Sequence, residues 1–72
     1  MKHIYSIRDC KVGYMNPVVD ANDEYAIRNF NFAKNDPKTL LHDFPGDFVL
    51  CRIADFDDQT GVITPYPPEV IA

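Results

Sequence analysis

The sequence predicts an α+β domain: a small, mainly antiparallel sheet of about three strands and one main helix, in β-α-β-β order. Three observations carry that prediction. Residues 3–9 alternate with a period of two. Ala26, Ile27, Phe30 and Ala33 recur at three- and four-residue spacing. Residues 47–64 read as a strand, an acidic turn closed by glycine, and a short returning strand.

In the first strand Tyr5 and Ile7 share a face with His3, while Ile4, Ser6 and Arg8 share the other. One face therefore meets a core and the other is partly wet. Asp9-Cys10-Lys11-Val12-Gly13 ends the strand in a turn. Residues 14–19 read as an extended loop, because Pro17 pushes Asn16 away from helical geometry. The helix is placed at 23–34. Asn22 is its N-cap, offering a side-chain oxygen to the orphan amides of the first turn. Asp23 and Glu24 sit where the positive end of the helix dipole favours them. Phe32 falls off the apolar stripe and is expected to cover a loop or to meet a neighbour.

Asn35-Asp36-Pro37-Lys38 stops this helix. Asp36 is read as the cap and Pro37 as the first residue of a brief second helical turn. The next strand, about 48–54, is apolar on both faces, as expected of a central strand or of one whose second face meets another subunit. Arg52 is the exception and is expected near an end or reaching outward. Asp55 to Gly61 form the turn, with Asp side chains bonding nearby amides and Gly61 free to take positive φ. Val62, Ile63 and Thr64 pair back. Pro65, Pro67 and Pro68 are read as excluding regular sheet beyond that point. The expected organisation is one domain over 1–64 and a proline-containing tail over 65–72, with Tyr66, Val70 and Ile71 pinning the tail to the domain or to a partner as an extended arm. Ile7, Ala26, Ile27, Phe30, Leu50 and Ile53 are the expected core.

The charge is uneven. Residues 47–72 hold five acids against one base, while residues 1–46 balance at six and six, for a net charge of −4. That balance opposes nonspecific binding to a phosphate backbone. The basic candidates Arg8, Lys11, Arg28, Lys34 and Lys38 are scattered along the chain. Met1-Lys2-His3-Ile4-Tyr5 runs into polar residues without the apolar segment of a secretion signal, and no stretch approaches the ~20 apolar residues of a membrane helix. A reducing cytoplasm is the expected location. Cys10 and Cys51 lack CxxC spacing and are read as free, mostly buried thiols.

Asp55, Asp57 and Asp58 invite a calcium reading, but no glycine at the sixth loop position and no closing glutamate match an EF-hand. They are read as a structural turn that can also meet a partner, and no metal or cofactor is expected. His3 and His42 lack an orienting residue at recognisable spacing, and no nucleophile elbow, phosphate loop or HExxH is present, so no enzyme activity is expected. Nine aromatic rings in 72 residues raise single-stranded nucleic-acid binding as an alternative to core and subunit contacts. A 72-residue chain hides only ~60% of its unfolded surface, so a homo-oligomer, most simply a dimer, is expected to add burial.

Three segments together resemble a known family. They are Tyr5-Ser6-Ile7-Arg8-Asp9, the helix start Asn22-Asp23 followed by Ala26, Arg28 and Phe30, and Pro45-Gly46-Asp47-Phe48-Val49-Leu50 through Ile53 to Ile63 with its Phe56-Asp57 and Thr60-Gly61. The chain resembles the small nonstructural protein of gokushovirus-type microviruses, which are single-stranded DNA phages, from about residue 2 to residue 64. Ala54 stands where that family usually carries glycine. The resemblance brings no catalytic residues. It implies a phage accessory protein in the host cytoplasm that supports genome replication or packaging through protein contacts, with direct single-stranded DNA binding, or modulation of a host protein, as the alternative. The partner-contact candidates are Phe32, Phe56, Asp57, Asp58, Tyr66 and Ile71; the basic residues above are the nucleic-acid candidates.

Overall fold

Strand β1 (Lys2–Asp9) lies inside a five-stranded antiparallel sheet in the computed structural model, which describes residues 1–72. Gly13, at φ 133, turns the chain back in a conformation that side-chain-bearing residues rarely adopt. Strand β2 (Gly13–Tyr14) then pairs the end of β1, with Arg8 opposite Tyr14. Strand β3 (Val18–Asp20) pairs its start, with Ile4 opposite Val19 and His3 opposite Asp20. The two short strands act as one interrupted strand. Across the gap, Met15 N donates to Ile7 O at 2.8 Å and the Ser6 hydroxyl donates to Met15 O at 2.7 Å.

Helix α1 (Asp23–Lys34) has the expected limits, and the Asn22 side chain accepts from Tyr25 N at 2.8 Å. Helix α2 (Leu40–Asp43) starts later than expected. Thr39, not Asp36, is its N-cap, accepting from His42 N at 3.2 Å. Asp36 instead accepts from Lys38 N at 3.0 Å, closing a local turn before the helix.

After a 3-10 turn at Pro45–Asp47, β4 (Phe48–Phe56) runs antiparallel to β1. A bulge at Ile53 separates Ala54, opposite Ile4, from Arg52, opposite Tyr5. Strand β5 (Ile63–Val70) then pairs β4. The turn between them is built as expected. Asp57 accepts from Gln59 N at 2.9 Å and Thr60 N at 3.3 Å, and Gly61 takes φ 79.

The three-strand, one-helix β-α-β-β arrangement is therefore corrected to five strands and two helices, in the order β1-β2-β3-α1-α2-β4-β5. Pro65, Pro67 and Pro68 do not stop the sheet. β5 is an edge strand, pairing on one side only, so a missing amide on the other side costs no ladder bond. The strand continues past them, and Leu50 N donates to Ala72 O at 2.7 Å. Cys51 is buried and Cys10 exposed; both are free thiols.

The core lies between α1, α2 and one sheet face. It comprises Tyr5, Ala26, Phe30, Leu41, Phe48 and Leu50, with Ile7, Ile27, Ala33 and Ile71 packed around it. Ile53, expected in the core, sits at the bulge outside that cluster and is half-buried. The chain exposes 4900 Å² in all. A compact chain of this mass is expected to expose about 4,500 Å².

Candidate functional site

The two faces of the sheet carry different chemistry. On the α1 face, beside the core, a polar cluster joins three elements. Tyr5 Oη donates to Asp23 at 2.6 Å, and Arg52 spans Asp23 and Glu69 at 2.7 Å each. Arg52 therefore lies mid-strand and is held by carboxylates from α1 and β5, rather than reaching outward as expected. Alongside, Asp55 meets His3 Nδ1 at 2.7 Å and accepts from Tyr66 Oη at 3.0 Å.

These contacts shift the ionisations. Burial, then the bond to Asp23, pushes the Tyr5 phenol well above its ordinary value. The Tyr5 hydrogen bond, seconded by Arg52, outweighs burial and holds the Asp23 carboxyl below the usual range. The His3 and Tyr66 bonds do the same for Asp55. Burial alone would lower Arg52, but its bonds to Glu69 and Asp23 leave the guanidinium above its usual value. Each acid has a partner, and the bonds tie the start of α1 and strand β5 to the sheet. The cluster reads as a fastening.

The opposite face has no helix over it. Register places Lys2, Ile4, Ser6 and Arg8 of β1 there, opposite Phe56, Ala54, Cys51 and Val49 of β4. Tyr14, Val19 and Val70 flank them and are 51%, 47% and 61% exposed. Burial raises the Cys51 thiol, and Arg8 and Tyr14 pull it part of the way back. Arg8 also lies over the Tyr14 ring at 5.9 Å. The strand carboxylates Asp9, Asp20, Asp55 and Glu69 all occupy the alternate positions, on the α1 side. This face is free of acids; its middle is already covered within the chain, with Ser6, Cys51 and Ala54 2%, 1% and 4% exposed, and its exposed apolar side chains lie at the margins.

The residues proposed from sequence are dispersed. Phe32 stands on the outer side of α1, 78% exposed. Phe56 is half-buried at the end of β4. Asp57 caps the turn, and Asp58 lies 3.9 Å from the terminal amine. Tyr66 is tied to Asp55, and Ile71 packs on the core. Of the cations, Arg8 is on the open face and Lys11 in the turn after it. Arg28 lies over Tyr25 at 4.9 Å and Lys34 over Phe30 at 4.6 Å, both on α1, and Lys38 follows in the loop. The sheet separates Arg8 from Arg28, so the cations do not converge.

Sequence reading missed Tyr14 and Val19 as surface features, because they lie on strands it did not place, and it assigned Val70 to a tail rather than to a strand. Their signal was the double-sided apolarity of β4, which demands something beside its second face. His3 and Cys51 lie on opposite sheet faces, so they do not form a nucleophile–base pair. No group of three or more His, Cys, Asp or Glu side chains is arranged to hold a metal ion. No helix is long and apolar enough to cross a membrane.

A family model described as Phage ORF5 protein matches residues 2–72. No curated protein and no solved structure matches the chain.

Proposed function

The chain belongs to the phage ORF5 protein family, and we propose from that premise that it is a noncatalytic accessory protein working through protein contacts. Its narrower place, with the gokushovirus-type microviruses, and its role, in replication or packaging of a single-stranded DNA genome, are parts of the same proposal. The Phe56-Asp57 and Thr60-Gly61 motif supports the first. The second rests on the family resemblance and on one structural observation: the sheet face away from α1 is free of strand carboxylates and exposes Tyr14, Val19 and Val70 at its margins. Surfaces of that kind mark protein contacts. A second copy is the simplest of these, and a phage replication or assembly protein is the functional one.

Direct binding of single-stranded DNA is the competing reading. It requires cations beside exposed rings along one groove. Arg8 with Tyr14 and Arg28 with Tyr25 supply the pairs but on separate surfaces, in a chain of net charge −4. The expected result is a flat fluorescence anisotropy signal with a labelled single strand between ~50 and ~300 mM salt. Affinity purification from phage-infected cells is expected to recover a phage replication or assembly protein with the wild type, and to lose it with Val70→Lys. Tight DNA binding that weakens steeply with salt would put the competing reading first.

A further inference from the structure

We infer that the exposed proline arch of β5, residues 65–68, is a docking segment for a protein with a polyproline-binding groove: a shallow, aromatic-lined channel with a basic rim. This rests on the protein-contact reading above and adds a second surface, apart from the sheet face, with the class of partner it fits.

The register shows the arch. Ala54 pairs with Pro65 and Arg52 with Glu69, so Ile53 alone opposes Tyr66, Pro67 and Pro68. The two extra residues bow β5 away from β4 at that point. The bowed segment has few conformations open to it. Each proline ring fixes φ near about −65°, and Thr64, Tyr66 and Pro67, each preceding a proline, are pushed to extended geometry. That is the polyproline II range, in which every third residue shares an edge, as Pro65 and Pro68 do.

The arch is also fastened. Tyr66 Oη donates to Asp55 at 3.0 Å, and Arg52 holds Glu69 at 2.7 Å. Further on, Ile71 N donates to Leu50 O at 2.9 Å, and Ile71 packs on the core. Pro65, Pro67 and Pro68 nevertheless stay exposed, and Ile63 and Val70, 54% and 61% exposed, continue the apolar strip to either side. A segment held in this way loses little freedom on docking.

An added strand is the wrong occupant, because positions 65, 67 and 68 have no amide to donate. Protection of the edge does not account for Pro67 and Pro68 either, since they lie where the ladder is already open. Proline rings pack instead on flat aromatic side chains lining a groove. Charge adds the rim. Residues 47–72 hold five acids against one base, and that base, Arg52, is taken by Asp23 and Glu69. Lysine or arginine beside the groove complements the arm.

The chain has no tryptophan, so indole emission from a partner's groove reads docking without background. The probes are isolated SH3 and WW domains with tryptophan in the groove, titrated with the full chain; circular dichroism confirms that each variant is folded. At least one domain is expected to show a saturable change with a Kd on the order of 100 μM. Pro67→Ala and Pro68→Ala are each expected to weaken it at least about tenfold. Tyr66→Phe, which releases the arch from Asp55, is expected to weaken it about threefold. Val19→Lys, on the sheet face, is expected to leave it unchanged. No saturable change with any domain overturns the inference, while the protein-contact reading is decided separately by the purification from infected cells. Binding that survives both proline substitutions, or that Val19→Lys abolishes, overturns the arch as the docking segment.

Discussion

Truncating Phe30 to alanine is expected to leave the domain largely unfolded at room temperature. Phe30 is 2% exposed and stands at the centre of the α1 stripe, in one cluster with Tyr5, Leu41, Phe48 and Leu50. Removing a buried phenylalanine costs about 3–5 kcal/mol, part lost transfer energy and part cavity. A chain of this length has roughly 4–11 kcal/mol to lose. Only nine of the 72 residues are buried, which places this protein toward the low end. The Lys34 ammonium, 4.6 Å from the ring centroid, also loses its aromatic partner. Phe32→Ala is the control: its ring is 78% exposed, and the change is expected to stay within about 0.5 kcal/mol. Urea titrations followed by circular dichroism read both. Equal midpoints for the two variants would contradict this account of the core.

Arg52→Met is expected to cost about 2 kcal/mol at neutral pH and to make stability less dependent on pH in acid. Breaking a buried ion pair costs ~3–5 kcal/mol, and the figure is reduced here because the carboxylates are partly wet. Asp23 and Glu69 side chains are 35% and 60% exposed against 22% for Arg52. The pH dependence follows from Asp23. Its folded pKa is depressed, by the Tyr5 hydrogen bond first and Arg52 second. Its contribution is therefore present above the unfolded value of about 4 and is lost as pH falls through the folded one. Without Arg52 the Tyr5 bond persists, so the folded pKa moves only part of the way back. The variant therefore has less stability to lose in acid, and the wild-type advantage should narrow between neutral pH and pH 3. Urea midpoints compared at neutral pH and near pH 3 check both parts. An unchanged acid limb would show that Arg52 does little for the Asp23 carboxylate.

These outcomes also mark what was legible in the sequence. Helix α1 could be read to its ends because its signals are local: Asn22 caps, Asp23 and Glu24 follow, and the stripe repeats within one segment. The β4–β5 turn was legible for the same reason, through Asp57 and Gly61. Strands β2 and β3 were not. With two and three residues, interrupted before Pro17, they are strands only because β1 supplies their partners. The prolines of β5 misled because local sequence does not show that a strand will be an edge.

Arg52 was misplaced because its partners Asp23 and Glu69 lie 29 and 17 residues away. No periodicity reports such distances. The open face was half legible. The two-sided apolarity of β4 announced a second buried surface, while the separation of acids from it required the register.

If the sheet face away from α1 is where the protein meets its partners, beginning with a second copy, contacts between chains run through its exposed side chains. An isotope-filtered NOE spectrum on an equal mixture of labelled and unlabelled chains tests it most directly. Intermolecular NOEs are expected from the methyl groups of Ile4, Val19 and Val70 and from the Tyr14 ring, and none from Phe32 or Leu40. Contacts through Phe32 and Leu40, or a spectrum without intermolecular NOEs at millimolar protein, would contradict it.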